Sequence, residues 1–129
     1  MSDDHDHEKA TEAHFAQRVG KLRARFPAKL FDKIAQANAA LPQMRGDGID
    51  AIDAVATTYR QFHDVCGIAP IIGFPATGEL ARLCDIILVT PFRDQRGLSA
   101  IELSALTDSI ESLRVGALTE MPSTSSDRS

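Results

Sequence analysis

The apolar residues of this chain recur at every third or fourth position, and this spacing constrains the fold more than any other feature. It is the period of a helix with one buried face, whereas a half-buried strand would alternate at every second position. Segments that contain glycine and proline, such as "PQMRGDG" at 42–48, interrupt the pattern. A chain of 129 residues is long enough to bury a core of its own. We therefore predict an all-α protein, an antiparallel four-helix bundle with an additional N-terminal helix.

Two helices are predicted before the segment at 42–48. Proline cannot continue a helix interior but fits the first turn of a helix, so we expect one helix to end at Pro27 and the next to begin there. The first of the two is the additional N-terminal helix. Their apolar stripes are Phe15, Val19, Leu22 and Phe26, and then Leu30, Ile34, Ala37 and Leu41.

Three more helices are predicted after that segment. The third begins near Ile49, and the fourth runs from Pro75 and ends before Pro91, because the residue preceding a proline is pushed out of the helical region. The last opens on Ser99 and Glu102, which have the spacing of a capping box. The three apolar stripes are Ile52, Val55, Tyr59, Phe62 and Cys66; Ala76, Leu80, Leu83, Cys84 and Ile87; and Leu103, Leu106, Ile110 and Leu113.

Both ends of the chain are predicted to lie outside the domain, which spans residues 9–118. We expect residues 1–8 to be a disordered acidic tail. We also expect residues 119–129 to be disordered, because they are small and polar, with too little apolar surface to offset the entropy of ordering them. The acidic start lacks the basic and apolar parts of a secretory signal. The longest apolar run, "CDIILV", is far shorter than the roughly 20 residues that span a bilayer. We expect a cytoplasmic protein with no membrane partner.

The charge balance argues against a nucleic-acid partner. The formal net charge is −4, so the chain has no general basic bias. One cluster is basic, but no aromatic residues alternate with it, and we interpret it as a solvated helix face. We also expect a monomer. The basic cluster is Arg18, Lys21, Arg23, Arg25 and Lys29.

A histidine on the third helix is the main candidate for a functional residue. On a helical wheel, His63 lies at the border between core and solvent, with Arg60 one turn before it, Gly67 one turn after it and Asp64 further out. Glycine inside a helix costs about 1 kcal/mol relative to alanine, so we interpret Gly67 as clearance that lets a partner approach the imidazole. Pro70 lacks an amide hydrogen, so the helix should end between Gly67 and Pro70.

The segment "HDVCGIAPIIGFP", residues 63–75, resembles histidine-containing phosphotransfer (HPt) domains. The resemblance rests on His63, Gly67 and Gly73, followed by the leucine-rich helix of Leu80, Leu83 and Cys84. It implies a helical bundle in which His63 accepts a phosphoryl group and relays it between response-regulator receiver domains. A hybrid histidine kinase is a further candidate partner. A neutral imidazole is an available nucleophile at neutral pH, and the resemblance implies no cofactor of the protein's own, because the receiver supplies Mg²⁺.

One position departs from the HPt pattern. The family usually has a basic residue three positions after the histidine, and this chain has Cys66. Arg60 and Arg82 are both candidates to replace that charge. The departure also leaves open an alternative, an HPt-like adaptor that binds or sequesters a response regulator without accepting phosphate.

Other sites are less well supported by the sequence. His63, Cys66 and Cys84 are potential metal ligands, but a closed site needs about four. "HDHE" at positions 5–8 is a weak candidate for a transition metal and is more typical of a solvated acidic tail. We interpret the two cysteines as small buried hydrophobic residues and not as a disulfide pair. The sequence contains no kinase or hydrolase motif, so it gives no support for an enzyme other than a phosphotransfer protein.

Overall fold

The computed structural model describes residues 2–121, with side chains from residue 10 onward. It contains four α-helices, α1 (Ser2–Ala40), α2 (Ile49–Ile68), α3 (Pro75–Arg93) and α4 (Ala100–Glu120), with one 3₁₀ turn (Leu41–Met44) after α1. No strand occurs among residues 2–121, where the extended backbone is limited to an isolated bridge between Arg45 and Leu98. The prediction of an all-α protein is confirmed. None of the helices in this range combines the length and apolar character needed to cross a membrane.

The predicted break at Pro27 is wrong, because α1 is a single helix of 39 residues that runs through this proline. Proline in a helix interior costs about 3 kcal/mol. Phe26 and Leu30, on either side of it, are both buried in the core, and this packing favours the helix on both sides of the proline. The additional N-terminal helix of the prediction is therefore the first half of α1.

The apolar stripe assigned to that first half is also mostly wrong. Phe15 is 63% exposed and Leu22 is 46% exposed, Val19 is half-buried, and Phe26 alone of the four is buried. A helix of 39 residues is about 58 Å long, whereas α3 and α4 are about 30 Å long. The start of α1 therefore extends beyond the helices that could cover it.

The core lies between the helices, where the second half of α1 packs against α2 and α4 and these two helices pack against α3. The predicted stripe of Leu30, Ile34 and Ala37 is buried, and so are Val55 and Phe62 of α2 and Leu106, Ile110 and Leu113 of α4, which confirms these assignments. Four further residues of the predicted stripes are half-buried and pack against the core, namely Leu41, Tyr59, Cys66 and Leu103. Ile52 is also half-buried.

The buried face of α3 differs from the predicted one. Cys84 is buried as expected, but Leu83 is 47% exposed and Ala76 is exposed. Small residues form much of the real face, where a Cβ atom on Gly78 would lie 2.9 Å from the ring of Pro70. Helices that meet through small residues approach closely, and a search for large apolar residues misses such a face. The buried residues of α3 are Thr77, Gly78, Ala81, Cys84, Leu88 and Pro91.

The connection between α2 and α3 forms as predicted. α2 ends at Ile68, before Pro70, and Pro75 occupies the start of α3. Gly73 has φ +96°, a left-handed conformation that side chains disfavour, and a guanidinium nitrogen of Arg23 would lie 2.7 Å from a Cβ at this position. The turn therefore requires glycine at position 73, whereas the flexible guanidinium of Arg23 can shift to admit a Cβ atom.

The predicted end of α3 before Pro91 is wrong, because the helix continues to Arg93. Pro91 lies in the last turn, and its ring is fully buried. Burial of this ring offsets the single backbone hydrogen bond that proline removes.

The end of α4 lies beyond the predicted boundary. The helix continues to Glu120, whose carboxylate accepts hydrogen bonds from the backbone N–H groups of Ala76 (2.9 Å) and Thr77 (2.7 Å), and Met121 is buried. The rest of the predicted tail at 119–129 lies outside the described residues. At the other end, α1 begins at Ser2, and the side chains of the predicted tail at 1–8 lie outside the described set.

Candidate functional site

His63 and Asp85 form the centre of the candidate site. His63 projects from α2 with its side chain 61% exposed, and its Nδ1 lies 3.0 Å from Oδ1 of Asp85 on α3. A carboxylate oxygen only accepts hydrogen bonds, so this contact places the proton of a neutral imidazole on Nδ1. The lone pair is then on Nε2, which is the nucleophilic nitrogen of the ring.

Buried neighbours in the sequence fix both residues at the edge of the core. Phe62 precedes His63 and is fully buried between the helices, and Cys84 precedes Asp85 and is also fully buried. Since successive residues of a helix point about 100° apart, a buried residue directs the next one towards the edge of the packed face. The Asp85 side chain is only 20% exposed, so it is held more firmly than the histidine that it contacts.

An aromatic cluster supports one side of the imidazole. The ring of Tyr59, one turn earlier on α2, stacks on His63 with centroids 5.4 Å apart and stacks on Phe92 of α3 at 4.4 Å. The guanidinium of Arg60 lies over Phe92, 5.6 Å from the ring centroid, in a cation–π contact. The predicted site residue Arg60 is thus placed beside the aromatic cluster.

Cys66 and Arg82 lie next to the acidic member of the site. Burial and the negative charge of Asp85 raise the pKa of the Cys66 thiol to about 11, while the positive charge of Arg82 lowers it. The thiol is therefore neutral at pH 7. Arg82 lies one turn before Asp85 on α3, and its charge acts on the Cys66 thiol. Arg82 therefore stays a candidate to replace the basic residue that HPt proteins usually have at the position of Cys66.

The two remaining predicted residues lie on the open side of α2. Asp64 is exposed. Gly67 is exposed as well, and a Cβ atom built on it would meet no atom within 4 Å. The open space beside Gly67 fits its interpretation as clearance, because nothing in the fold of the described residues requires glycine there.

Asp85 is the site residue that the sequence analysis missed. His63 and Asp85 are 22 positions apart, and only the register of α2 against α3 brings them together. One signal was present. Asp85 is the only charged residue in "LCDIILV", positions 83–89, and an acidic residue within an apolar helical run has to find a polar partner or water.

The structure gives no support to the metal alternatives. Among residues 10–121 there is no cluster of three or more histidine, cysteine, aspartate or glutamate side chains that could hold a metal ion. Burial raises the pKa of the Cys84 thiol to about 12, so its thiolate, the form that binds metals, is disfavoured. The motif "HDHE" lies outside the described side chains.

Comparisons with known proteins do not assign the chain to a family. No protein-family model, no curated protein and no solved structure matches it. Its function is therefore inferred from the geometry of the site.

Proposed function

We propose that this protein is a histidine phosphotransfer protein that accepts a phosphoryl group on His63 and relays it between response-regulator receiver domains. The observation that carries the proposal is an exposed histidine whose Nδ1 is held by the carboxylate of Asp85, which leaves Nε2 as a nucleophile. The proposed setting is an antiparallel four-helix bundle of the HPt type in the cytoplasm, working in a two-component phosphorelay.

The proposed reaction follows from the tautomer of the imidazole. The lone pair of Nε2 attacks the phosphorus of an aspartyl phosphate on the receiver, the P–N bond forms, and the P–O bond to the aspartyl carboxylate breaks. The leaving group is that carboxylate. The phosphorylated ring keeps its proton on Nδ1 and gains positive charge, which the carboxylate of Asp85 stabilises at 3.0 Å. Transfer to a second receiver is the same reaction reversed.

The surface around His63 fits the approach of a receiver domain. Gly67, one turn along α2, presents no side chain and has open space around it. Arg60 and Arg82 flank the site on α2 and α3 and are proposed to offset the negative charge of the transferring phosphoryl group, and Asp64 lies at the docking surface. A Mg²⁺ ion in the acidic site of the receiver would neutralise further charge, so the protein needs no cofactor of its own.

A second candidate function is an adaptor that binds a receiver domain without accepting phosphate. The observation that favours it is Cys66, which is half-buried, neutral and located where HPt proteins usually have a basic residue. Such an adaptor would use the same face of α2 to sequester a response regulator.

Transfer of labelled phosphate tests the proposal and separates the two functions. The full-length protein is mixed with a panel of phosphorylated receiver domains, and wild type is compared with His63→Gln. His14→Gln is a matched control, because His14 is an exposed histidine on α1. We expect acid-labile, base-stable label on wild type and on His14→Gln, and none on His63→Gln. Binding of a receiver that persists in His63→Gln, with no label on any of the three proteins, would support the adaptor instead.

A further inference from the structure

A polar cleft with a volume of about 570 Å³ lies between the end of α1 and α2. It is much larger than a single ion, and its volume is within the range of small-molecule sites, about 300–1,000 Å³. Apart from two alanines, every residue of its wall carries a carboxylate, an amide or a hydroxyl group. A cleft of this size and composition fits a small polar molecule.

One end of the cleft carries a negative charge that the protein does not neutralise. Asp50 and Asp53 are one turn apart at the start of α2, and both line the cleft and are exposed. Like charges at this spacing repel each other. Among the described residues neither carboxylate has an ion-pair partner, and no lysine, arginine or histidine lines the cleft. A ligand at this end should therefore be a cation.

A buried hydroxyl in the wall of the cleft also lacks a partner. Thr58 lines the cleft and is only 2% exposed. The hydroxyls of Thr107 and Thr119 each donate to the carbonyl four positions earlier in α4, whereas the hydroxyl of Thr58 has no hydrogen-bond partner among residues 10–121. Its oxygen is not sealed in the core, as that of Thr77 is, so it is reached from the cleft. A hydrogen-bonding group bound in the cleft would satisfy it.

Two amides form the other end of the cleft. Nε2 of Gln61 on α2 donates to Oε1 of Gln36 on α1 at 2.9 Å, and both residues line the cleft. This bond leaves the oxygen of Gln61 and a second lone pair of Gln36 available as acceptors. Asp50 and Gln61 are about 16 Å apart along the axis of α2. Acceptors therefore follow the whole length of the cleft, with the hydroxyl of Thr58 between the carboxylates and the amides.

We propose that this cleft binds a linear aliphatic polyamine. One terminal ammonium group lies between Asp50 and Asp53, and an inner N–H group donates to the hydroxyl of Thr58. The nitrogen at the far end donates to the amide oxygens. A protonated polyamine combines positive charge with N–H donors along an extended chain, which matches this row of acceptors. A metal ion is too small to reach both ends. The proposal does not depend on phosphotransfer, because His63 is not part of the cleft wall.

Calorimetric titration of the full-length protein with spermidine at low ionic strength tests the charged end. Wild type is expected to bind one spermidine with a Kd below about 1 mM. Asp53→Asn is expected to raise this Kd at least about tenfold, because it removes one of the two charges that face the ammonium group. Asp108→Asn is the matched control. It changes the net charge equally at an exposed position on α4, outside the cleft, and should leave the Kd unchanged.

Replacement of Thr58 tests the middle of the cleft. Thr58→Val removes the hydroxyl and keeps the shape of the side chain, and it is expected to raise the Kd at least about threefold. Thr77→Val removes a hydroxyl that is also buried without a partner, but outside the cleft wall, and should leave the Kd unchanged. Thermal unfolding of each variant checks that the fold is intact.

Two simpler cations test the class of ligand. Butylamine has a single ammonium group, and Mg²⁺ carries charge without N–H donors, so each should bind wild type at least about tenfold more weakly than spermidine does. Any of four results would overturn the proposal: no binding of spermidine up to about 1 mM, an equal loss of affinity in Asp53→Asn and Asp108→Asn, an unchanged Kd in Thr58→Val, or binding of butylamine or Mg²⁺ as tight as that of spermidine.

Discussion

The Nδ1 atom of His63 and the Oδ1 atom of Asp85 lie 3.0 Å apart across the boundary between α2 and α3. The histidine is mostly exposed and the aspartate mostly covered, so the aspartate is the fixed member of the pair. A hydrogen bond from a ring nitrogen to a fixed acceptor sets both the rotation of the ring and the position of its proton. In the proposed reaction Asp85 is therefore a positioning residue, and Nε2 of His63 is the atom that would react.

Replacement of Asp85 should slow phosphoryl transfer without preventing the binding of a receiver. A hydrogen bond to a charged group contributes about 1.5–3 kcal/mol, so Asp85→Ala is expected to lower the single-turnover transfer rate by about 10- to 100-fold. Asp85→Asn is expected to fall between Ala and wild type, because the amide oxygen still accepts from Nδ1–H but carries no charge. Rapid-quench measurement with one phosphorylated receiver gives the rates, and calorimetry gives its affinity.

The control for this series is Asp108→Asn, which neutralises an exposed aspartate on α4. Its transfer rate should match that of wild type. If Asp85→Ala transfers phosphate as fast as Asp108→Asn does, Asp85 does not position the imidazole.

Replacement of Gly67 should separate docking from folding. Since a side chain at Gly67 would meet open space, Gly67→Gln is expected to keep or raise the thermal stability, by up to about 0.5 kcal/mol from helix propensity. Transfer should fall at least about tenfold, because the new side chain occupies the surface next to His63. Melting curves and single-turnover transfer are measured on the same preparations.

Gly20→Gln provides the matched comparison, because Gly20 is also an exposed helical glycine with open space around it, on α1. It should gain stability in the same way and transfer phosphate at the wild-type rate. Unchanged transfer in Gly67→Gln would rule out the clearance interpretation.

The sequence predicted local features well because local rules determine them. The capping box of Ser99 and Glu102 forms with both of its hydrogen bonds, and α2 ends between Gly67 and Pro70 as expected. Both features depend on residues only a few positions apart. The sequence also placed His63 at the border between core and solvent, since its position relative to the apolar stripe of Tyr59 and Cys66 follows from helix geometry alone.

The features that the sequence did not predict depend on contacts between distant residues. Pro27 and Pro91 lie inside helices because tertiary packing on the surrounding turns outweighs a local preference. Phe15 and Leu22 have the spacing of core residues, but both side chains are exposed. Their periodicity does not show that α1 extends beyond the helices beside it. The contact of Asp85 with His63 depends on the register of two helices, which no pattern within one helix encodes.

The bond between the end of α4 and the start of α3 should contribute to stability. Glu120 accepts from the N–H groups of Ala76 and Thr77 with its two separate oxygens, so Glu120→Gln leaves one N–H group facing an amide NH₂. The expected loss is about 1–2 kcal/mol in the free energy of unfolding, measured by urea denaturation at pH 7. Glu111→Gln, which alters only an exposed pair with Arg114, should cause a smaller loss. An equal loss in the two variants would show that Glu120 adds no more than a surface pair.

The pH dependence of stability should report the ion pair at the start of α4. The pKa of Glu102 is lowered to about 2, mainly because its carboxylate accepts hydrogen bonds from Arg96. Partial burial of the carboxylate raises the pKa, and the hydrogen bond from the N–H of Ser99 lowers it further. The pKa in the folded state is below its unfolded value of 4.5, so this contribution is fully present above pH 4.5 and is lost as the pH falls towards 2.

Two variants of Glu102 separate its charge from its cap. Glu102→Gln retains a side-chain acceptor for the N–H of Ser99 and removes the ion pair, whereas Glu102→Ala removes both, at a further cost of about 1 kcal/mol for the lost cap. The difference in urea midpoint between wild type and Glu102→Gln should therefore be largest at pH 7 and shrink steadily below pH 4.5. A difference that stayed constant from pH 7 to pH 2.5 would mean that the charge of Glu102 contributes nothing, and that Ser99 and the backbone alone hold the start of α4.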